Sequence, residues 1–278
     1  MSKQQLPAHE DFTGRADQPP LIFVHGLNHA AWCWEEHLVP WLRMRGREVI
    51  ALDLRSHGAR HDDDSLRLIP LARYVDDVVD AAAALGRPPV LVGHSMGGAI
   101  VQQYLARGAP ATAAVLVASA PHYGISGAVL RYAAHHPRRI LAVTTTRSFR
   151  PMIGTPAAFR DFFTPTTPDE IVEWAQAQAQ DDSFRAYLDM LLMGIFRPRR
   201  SAVPTLVLAA AQDAFFTTRA QRRLAAYHRA TFALFDGMGH DMMLETGWEA
   251  VAARIDAFVE TIGDRAEANA PAAAPVPK

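Results

Sequence analysis

The sequence predicts an α/β fold: a mainly parallel central sheet flanked by helices, with one helical insertion. Three observations predict it. Short β-branched runs alternate with helix-period segments along most of the chain, the pattern of parallel strands joined by helical crossovers. One run, Val90-Leu91-Val92, passes at once into Gly93-His94-Ser95-Met96-Gly97-Gly98 and a helical segment from Ala99 to Arg107, so strand, sharp turn and helix follow without a gap. From His122 to about Arg200 the rhythm breaks, leaving helical segments separated by Gly154, Pro156, Pro165 and Pro168.

Taken in order, residues 1–18 mix charge, proline and polar groups without an apolar run, which reads as a loose leader rather than a secretory signal. Leu21–Val24 is a short buried strand ending in His25-Gly26-Leu27-Asn28. Trp32, Trp34, Leu38, Trp41 and Leu42 then follow at helix-like spacing up to Gly46. Val49–Leu54 is a second strand and runs into Arg55-Ser56-His57-Gly58. Leu71–Leu85 carries an apolar stripe through Val75, Val78 and Ala82 and is closed by Gly86 and Pro88, as an amphipathic helix should be. The Val90 strand and its turn come next, then a strand at Ala114–Ala118 stopped by Pro121. After the insertion the alternation resumes with a strand at Thr205–Ala209 that leads to Asp213. A helix at about Arg219–Tyr227, a strand at Thr231–Phe235, the turn Asp236-Gly237-Met238-Gly239-His240 and a helix at Trp248–Ile262 complete the series. The expected division is a core of residues 19–121 and 201–263, a helical cap (lid) of residues 122–200, and flexible tails at 1–18 and 264–278. Right-handed crossovers put the functional loops of such a sheet at one edge, with the cap over it.

The bulk numbers narrow the function classes. A chain of 278 residues can bury one large core with a small accessory layer. Hydrophobic content of 49%, charged content of 21% and a formal net charge of −1 give no global field toward nucleic acid or a membrane. The uncharged stretch Gly108–Leu130 is long enough for a span, but Pro110, Pro121, Gly124 and Gly127 break it, and a buried strand with its loops explains it. Cys33 is the only cysteine, so no intramolecular disulfide forms, and a cytoplasmic location is expected. The only lysines are Lys3 and Lys278, which excludes chemistry that needs a lysine amine inside the fold. His61-Asp62-Asp63-Asp64 and His135-His136 read as solvated surface rather than ligand sets, so neither a metal nor a cofactor is expected.

Ser95 stands at the apex of the sharp turn. A residue there takes strained backbone, so its neighbours must be small, and Gly93 and Gly97 flank it at two positions on either side. The turn holds its Oγ clear at the carboxyl end of a strand, and the helix that follows aims free N–H groups at whatever bonds there. Ser95 is therefore the candidate nucleophile. Such a hydroxyl needs a base, and the base needs a group to fix it. Among twelve histidines, His240 fits best, because it follows the last strand on a glycine-freed loop. His57 and His94 come before or next to the nucleophile, and His135 and His136 belong to the insertion. No Asp or Glu lies between Ser95 and Asp161, so Asp213 at the next strand end is the candidate orienting acid. Asp236 and Asp241 share the tight turn of His240 and are poorer placed to reach its far ring nitrogen. The oxyanion formed by attack needs two preset N–H donors. Met96, after the nucleophile, is one, and Leu27, in the loop braced by His25, is the other.

The order Ser95, Asp213, His240, with His25-Gly26 after the first strand and Asp53-Leu54-Arg55-Ser56-His57-Gly58 after the second, resembles the α/β-hydrolase superfamily. Val24-His25-Gly26, Ala31-Trp32-Cys33-Trp34 and Ala51-Leu52-Asp53-Leu54 are similar to its group of plant methylesterases and hydroxynitrile lyases. The resemblance implies an oxyanion hole at Leu27 and Met96 and a cap at 122–200. Ser56 departs from it, standing where many bacterial relatives have glycine. The function expected is a serine hydrolase, carboxylesterase- or lipase-like, acting on a small-molecule ester through an acyl-enzyme. Hydroxynitrile lyases of that group use a lysine near the triad, which this fold lacks. A lactonase, a C–C bond hydrolase, a cofactor-free peroxidase or oxygenase, and a non-catalytic ligand-sensing protein remain as alternatives. Trp32, Trp34, Phe149, Phe163 and Met190 are the expected wall of an apolar substrate pocket.

Overall fold

The computed structural model describes residues 18–60, 66–192, 200 and 202–268. Its strands are β1 (Leu21–Val24), β2 (Val49–Leu52), β3 (Val90–His94), β4 (Ala113–Val117), β5 (Thr205–Ala210) and β6 (Thr231–Phe235). They form one sheet in the order β2-β1-β3-β4-β5-β6 with every neighbouring pair parallel. Strands β1, β3, β4 and β5 are buried at every position because both faces are covered there, whereas edge strand β6 is exposed or half-buried, and alternate residues feed opposite layers. Leu21, Phe23, Val90, Val92, Val115 and Val117 enter one core. Ile22, Val24, Leu91, Ala114, Leu116 and Val207 enter the other.

Helices α1 (Trp32–Glu35) and α2 (Leu38–Met44) follow β1, and α3 (Leu71–Ala84) and α4 (Met96–Ala106) flank β3. Among the described residues, six helices connect β4 to β5: α5 (Ser126–His135), α6 (Pro137–Thr146), α7 (Arg150–Ile153), α8 (Pro156–Phe159), α9 (Asp169–Gln178) and α10 (Phe184–Leu192). Helix α11 (Thr218–His228) precedes β6 and α12 (Trp248–Ala268) follows it. Trp34, Leu38, Leu42, Val251, Ile255 and Val259 carry α1, α2 and α12 onto the first layer. Tyr74, Val78, Ile100, Val101 and Leu224 carry α3, α4 and α11 onto the second.

Four boundaries differ from the sequence reading, each for a local reason. The segment from Trp32 to Gly46 is two helices, because Pro40 cannot donate a backbone N–H and clashes with the carbonyl of the turn before it. Strand β2 stops at Leu52, since the Leu54 N–H turns away to His25 Nε2 at 3.3 Å. Helix α4 starts at Met96, directly after the Ser95 turn, rather than at Ala99. Helix α12 continues past Ile262 to Ala268, so residues 264–268 are helix rather than tail. The acidic loop at His61–Asp64, the leader at 1–17 and the tail beyond 268 lie outside the described residues. No helix among the described residues is long and apolar enough to cross a membrane.

Candidate functional site

The chain leaves β1 for β2 on one side and returns as β3 on the other, so strand order reverses between β1 and β3. The crevice outside the carboxyl ends of strands at such a point is where open α/β sheets bind ligands. Leu27 follows β1 there, and Ser95 follows β3.

Ser95 has φ +51° and ψ −113°, a region that costs an L-residue of order 1–3 kcal/mol and persists only when the surroundings enforce it. They do. The Ser95 N–H donates to Val117 O at 3.1 Å, and its carbonyl accepts from the Gly98 and Ala120 N–H groups at 3.1 and 3.0 Å. Two glycines let the chain approach itself. A Cβ on Gly97 would sit on the carbonyl oxygens of Val24 and His25, and one on Gly26 would lie 2.9 Å from Ser95 Cβ. The loop after β1 is thus pressed against the serine turn by the absence of two side chains.

Asp213 and His240 come from the loops after β5 and β6. His240 Nδ1 lies 2.9 Å from Asp213 Oδ2, with the two side chains 3% and 1% exposed. The other Asp213 oxygen, Oδ1, accepts the backbone N–H groups of Phe215 and Phe216 at 2.7 and 2.9 Å. Asp213 therefore closes its own turn with one oxygen and meets the imidazole with the other. The loop carrying His240 is pinned by the buried Glu245, whose Oε1 accepts the Gly239 N–H at 2.9 Å and the Thr164 N–H of the insertion at 2.6 Å.

Ser95, His240, Leu27 and Met96 line one cavity of about 80 Å³, walled by Ile125, Val129, Phe149, Met190, Phe215 and Phe216 among others. Met96 is the first residue of α4, so its N–H has no acceptor within the helix. Among the described residues, no Asp, Glu, Arg or Lys lines the cavity. Phe149 and Met190 stand in the wall as the sequence reading expected. Trp32, Trp34 and Phe163 are not among the residues that line it. Trp34 faces the sheet, with its ring 4.9 Å from that of Phe23, Trp32 stacks on His29, and Phe163 packs in the core layer beside Gly239. Phe215 and Phe216 were missed. Their position two and three residues after Asp213 was the available signal, because residues following a strand end lie at the same sheet edge.

Two further buried carboxylates face histidines. His29 Nε2 is 3.0 Å from Asp241 Oδ2, and His57 Nε2 is 3.1 Å from Asp182 Oδ2, with every side chain 0% exposed. His94, His240 and Asp241 bring potential ligand atoms within 4.8 Å of one another. Each of the three side chains makes one hydrogen bond, His94 Nε2 with the His240 carbonyl at 3.1 Å, His240 Nδ1 with Asp213 and Asp241 Oδ2 with His29, while His94 Nδ1 and Asp241 Oδ1 have none among the described residues. Within the insertion, His135 Nδ1 bonds the Arg131 carbonyl at 2.9 Å and His136 lies 3.6 Å from Asp161.

The buried histidines divide into two sets that make stability depend on pH in opposite senses. Burial, reinforced by His57, lowers His25 to about 3, and burial with Arg200 lowers His228 to about 4. Burial and His240 hold His94 well below its ordinary value. For His29 and His57 burial again opposes charge, but Asp241 and Asp182 outweigh it and raise both above 6.5. As pH falls below 6.5, the unfolded chain takes up protons that folded His25, His94 and His228 refuse, and stability is lost. The contribution of His29 and His57 is complete below 6.5 and is lost as pH rises through their elevated values. Thermal unfolding followed by circular dichroism should therefore give a Tm maximum near pH 6.5, declining on both sides. A Tm that is flat or rises steadily through that range would contradict the assignment.

Residues 21–254 match the alpha/beta hydrolase family. A probable esterase of rice (Oryza sativa), PIR7A, is 39% identical over 113 residues, which cover 38% of this chain and 42% of the rice protein. The chain thus spans about two fifths of the length of the rice relative. A thermophilic esterase from Thermogutta terrifontis superposes with a TM-score of 0.70 at 19% identity, covering 90% of this chain and 92% of the other. The methylesterase MES16 from Arabidopsis superposes with a TM-score of 0.66 at 20% identity, covering 87% and 99%. At such identities the structural likeness is one of fold.

Proposed function

The chain belongs to the alpha/beta hydrolase family, and on that premise we propose that it is a serine esterase for small, apolar esters. Ser95 is the nucleophile, His240 the base, Asp213 the group that orients it, and Leu27 and Met96 the oxyanion donors. The observation that carries this reading is the buried His240–Asp213 pair at 2.9 Å, opening on the same cavity as the strained Ser95. Asp213 accepts the Nδ1 proton of His240, which leaves Nε2 free to take the proton of Ser95 Oγ. Oγ then bonds the ester carbonyl carbon, and the carbonyl electron pair moves to oxygen, where the Leu27 and Met96 N–H groups stabilise it. Collapse expels the alcohol with the proton from His240 and leaves an acyl-Ser95. Water, deprotonated by the same imidazole, reverses the sequence and releases the acid. We assign residues 122–200 as a cap, because Ile125, Val129, Phe149 and Met190 of that stretch wall the cavity.

A fluorophosphonate probe tests the nucleophile: covalent labelling should map to Ser95, and labelling elsewhere removes it from the mechanism. The wall predicts chain-length selectivity. Each buried methylene contributes about 0.8 kcal/mol, roughly fourfold in kcat/KM, until the space is filled. Across p-nitrophenyl esters kcat/KM should climb from acetate to about butanoate and level off or fall by octanoate, given about 80 Å³ of room. Rates that are flat, or greatest for the longest chain, would contradict an enclosed acyl site. Lactones and thioesters in the same panel separate an esterase from other triad chemistries.

A further inference from the structure

We infer that Asp182, in the insertion between α9 and α10, is a positioning residue that holds the Leu27 oxyanion donor by clamping the Leu27–Asn28 peptide together with His29. This rests on the reading of Ser95 and Leu27 given above. A trans peptide unit points its C=O and N–H in opposite directions, so a unit gripped at both ends cannot rotate. The Leu27 carbonyl accepts from His29 Nδ1 at 2.7 Å. At the other end of the same unit, the Asn28 N–H donates to Asp182 Oδ2 at 2.8 Å. The preceding unit is held at its carbonyl end alone, which leaves its N–H for the oxyanion. Its Gly26 carbonyl accepts from His25 Nδ1 at 2.9 Å, and His25 Nε2 accepts from the Leu54 N–H at 3.3 Å. That grip on Gly26 O turns the Leu27 N–H away from His25.

Both outer grips are ionic. His57 Nδ1 faces the Arg55 carbonyl at 2.9 Å and Nε2 faces the Asp182 carboxylate at 3.1 Å. His29 likewise faces the Leu27 carbonyl and the Asp241 carboxylate. Carbonyls and carboxylates only accept, so the His29 ring donates from both nitrogens and carries a positive charge, and the Asp182 carboxylate beside His57 favours the charged form of that ring as well. One peptide bond is thus fastened between two buried imidazolium–carboxylate pairs. Asn28 needs the restraint, because its φ of +68° lies in the left-handed region. Releasing its N–H would free the two peptide units on either side of Leu27 to swing, and the oxyanion donor with them.

Asp182 reaches this position from far along the chain, in a segment stitched to the core. The Gln180 N–H donates to Asn28 O at 3.2 Å, and Asn28 Nδ2 donates to Gln180 O at 3.0 Å. The Gln180 side chain bonds Ser56 O and the Gly58 N–H, each at 2.9 Å. The insertion therefore completes the oxyanion loop as well as walling the cavity.

The test is Asp182→Asn, whose single oxygen cannot serve both the Asn28 and the Ser183 N–H groups that the two carboxylate oxygens accept. Displacing one oxyanion donor by about an ångström costs about 10²-fold in rate. With p-nitrophenyl butanoate, kcat should fall by about that factor while KM stays within about threefold. Affinity for butylboronic acid, whose tetrahedral serine adduct needs the oxyanion donors, should fall in proportion. Affinity for butanoate, a planar product, should not change. A wild-type kcat, or a kcat loss matched by the inactive fraction in fluorophosphonate titration, would overturn the inference. If Asp182→Asn does not fold, the half-exposed Gln180→Ala decides. A drop in kcat and boronate affinity at constant KM supports the clamp, and an unchanged kcat refutes it. Ser95→Ala, run alongside, keeps the two readings apart. Turnover surviving in that variant removes the site itself, whereas a dead Ser95→Ala with a wild-type Asp182→Asn removes only the positioning role.

Discussion

Ser95→Ala should lose ester hydrolysis by about 10⁶-fold in kcat, the scale seen when the nucleophile of a triad is removed, while folding as well as the parent. The loss follows from the chemistry: without Oγ there is no acyl-enzyme, and what remains is the small rate that oxyanion donors and binding give to water. The unchanged fold follows from the turn. Its hydrogen bonds are made by the Ser95 backbone, to Val117, Gly98 and Ala120, and alanine keeps the same Cβ in the same strained position. Ser95→Gly sharpens the comparison. Glycine occupies φ +51° without steric cost, so this variant should be equally inactive yet more stable, by roughly 1 kcal/mol. That is about 2–4 °C in Tm for a domain of this size. The pair of variants therefore moves activity together and stability apart. Hydrolysis retained by Ser95→Ala would remove the serine from the mechanism. A glycine variant no more stable than the alanine one would remove the argument that the turn stores strain for the sake of the hydroxyl.

Much of this was legible in the sequence because it was written locally. The strands announced themselves as β-branched runs at Leu21, Val90, Ala114 and Thr205, and the serine turn as glycines flanking one hydroxyl. The break after α1 was not read from the sequence, because the aromatic spacing of Trp32 and Trp34 argued for one longer helix and outweighed the signal of Pro40. What spacing cannot give is direction. Trp34 and Phe149 are both large and apolar, but one packs on the sheet and the other faces the cavity, and only the placement of the segments that carry them separates the two. The clamp on the loop after β1 was hidden for a different reason. Asn28 and Asp182 are 154 positions apart, and neither stands in a motif, so nothing short of the folded chain brings them together. A lone aspartate in an insertion carries no mark that it closes on a peptide bond elsewhere.

Asp213→Asn should reduce kcat by about 10⁴-fold with little change in KM, because it reverses a tautomer rather than removing a contact. Asp213 Oδ2 faces His240 Nδ1 at 2.9 Å, and Oδ1 accepts the Phe215 and Phe216 N–H groups. An asparagine has one oxygen and one amide nitrogen for those places. Two backbone N–H groups demand the oxygen, so the amide NH₂ turns toward His240 and donates to Nδ1. The ring proton then moves to Nε2, and the nitrogen that must accept from Ser95 becomes a donor. The turn keeps its bonds, so stability should be close to that of the parent. Asp213→Ala gives up both functions. Its activity should fall as far, and its Tm should drop as well, since two backbone donors lose an acceptor at a net cost of about 1–3 kcal/mol. Asp241 and Asp236 are the rival carboxylates, and the geometry separates them. Asp241 is committed to His29, with its N–H donated to Phe162 O, and Asp236 has no contact with the ring among the described bonds. If Asp213→Asn kept near-normal kcat while Asp241→Asn lost it, the base would be oriented from its own turn and the strand-end assignment would fall. The ratio of kcat to Tm loss across the Asn and Ala variants is the measurement that decides, because a merely structural aspartate would lose both together.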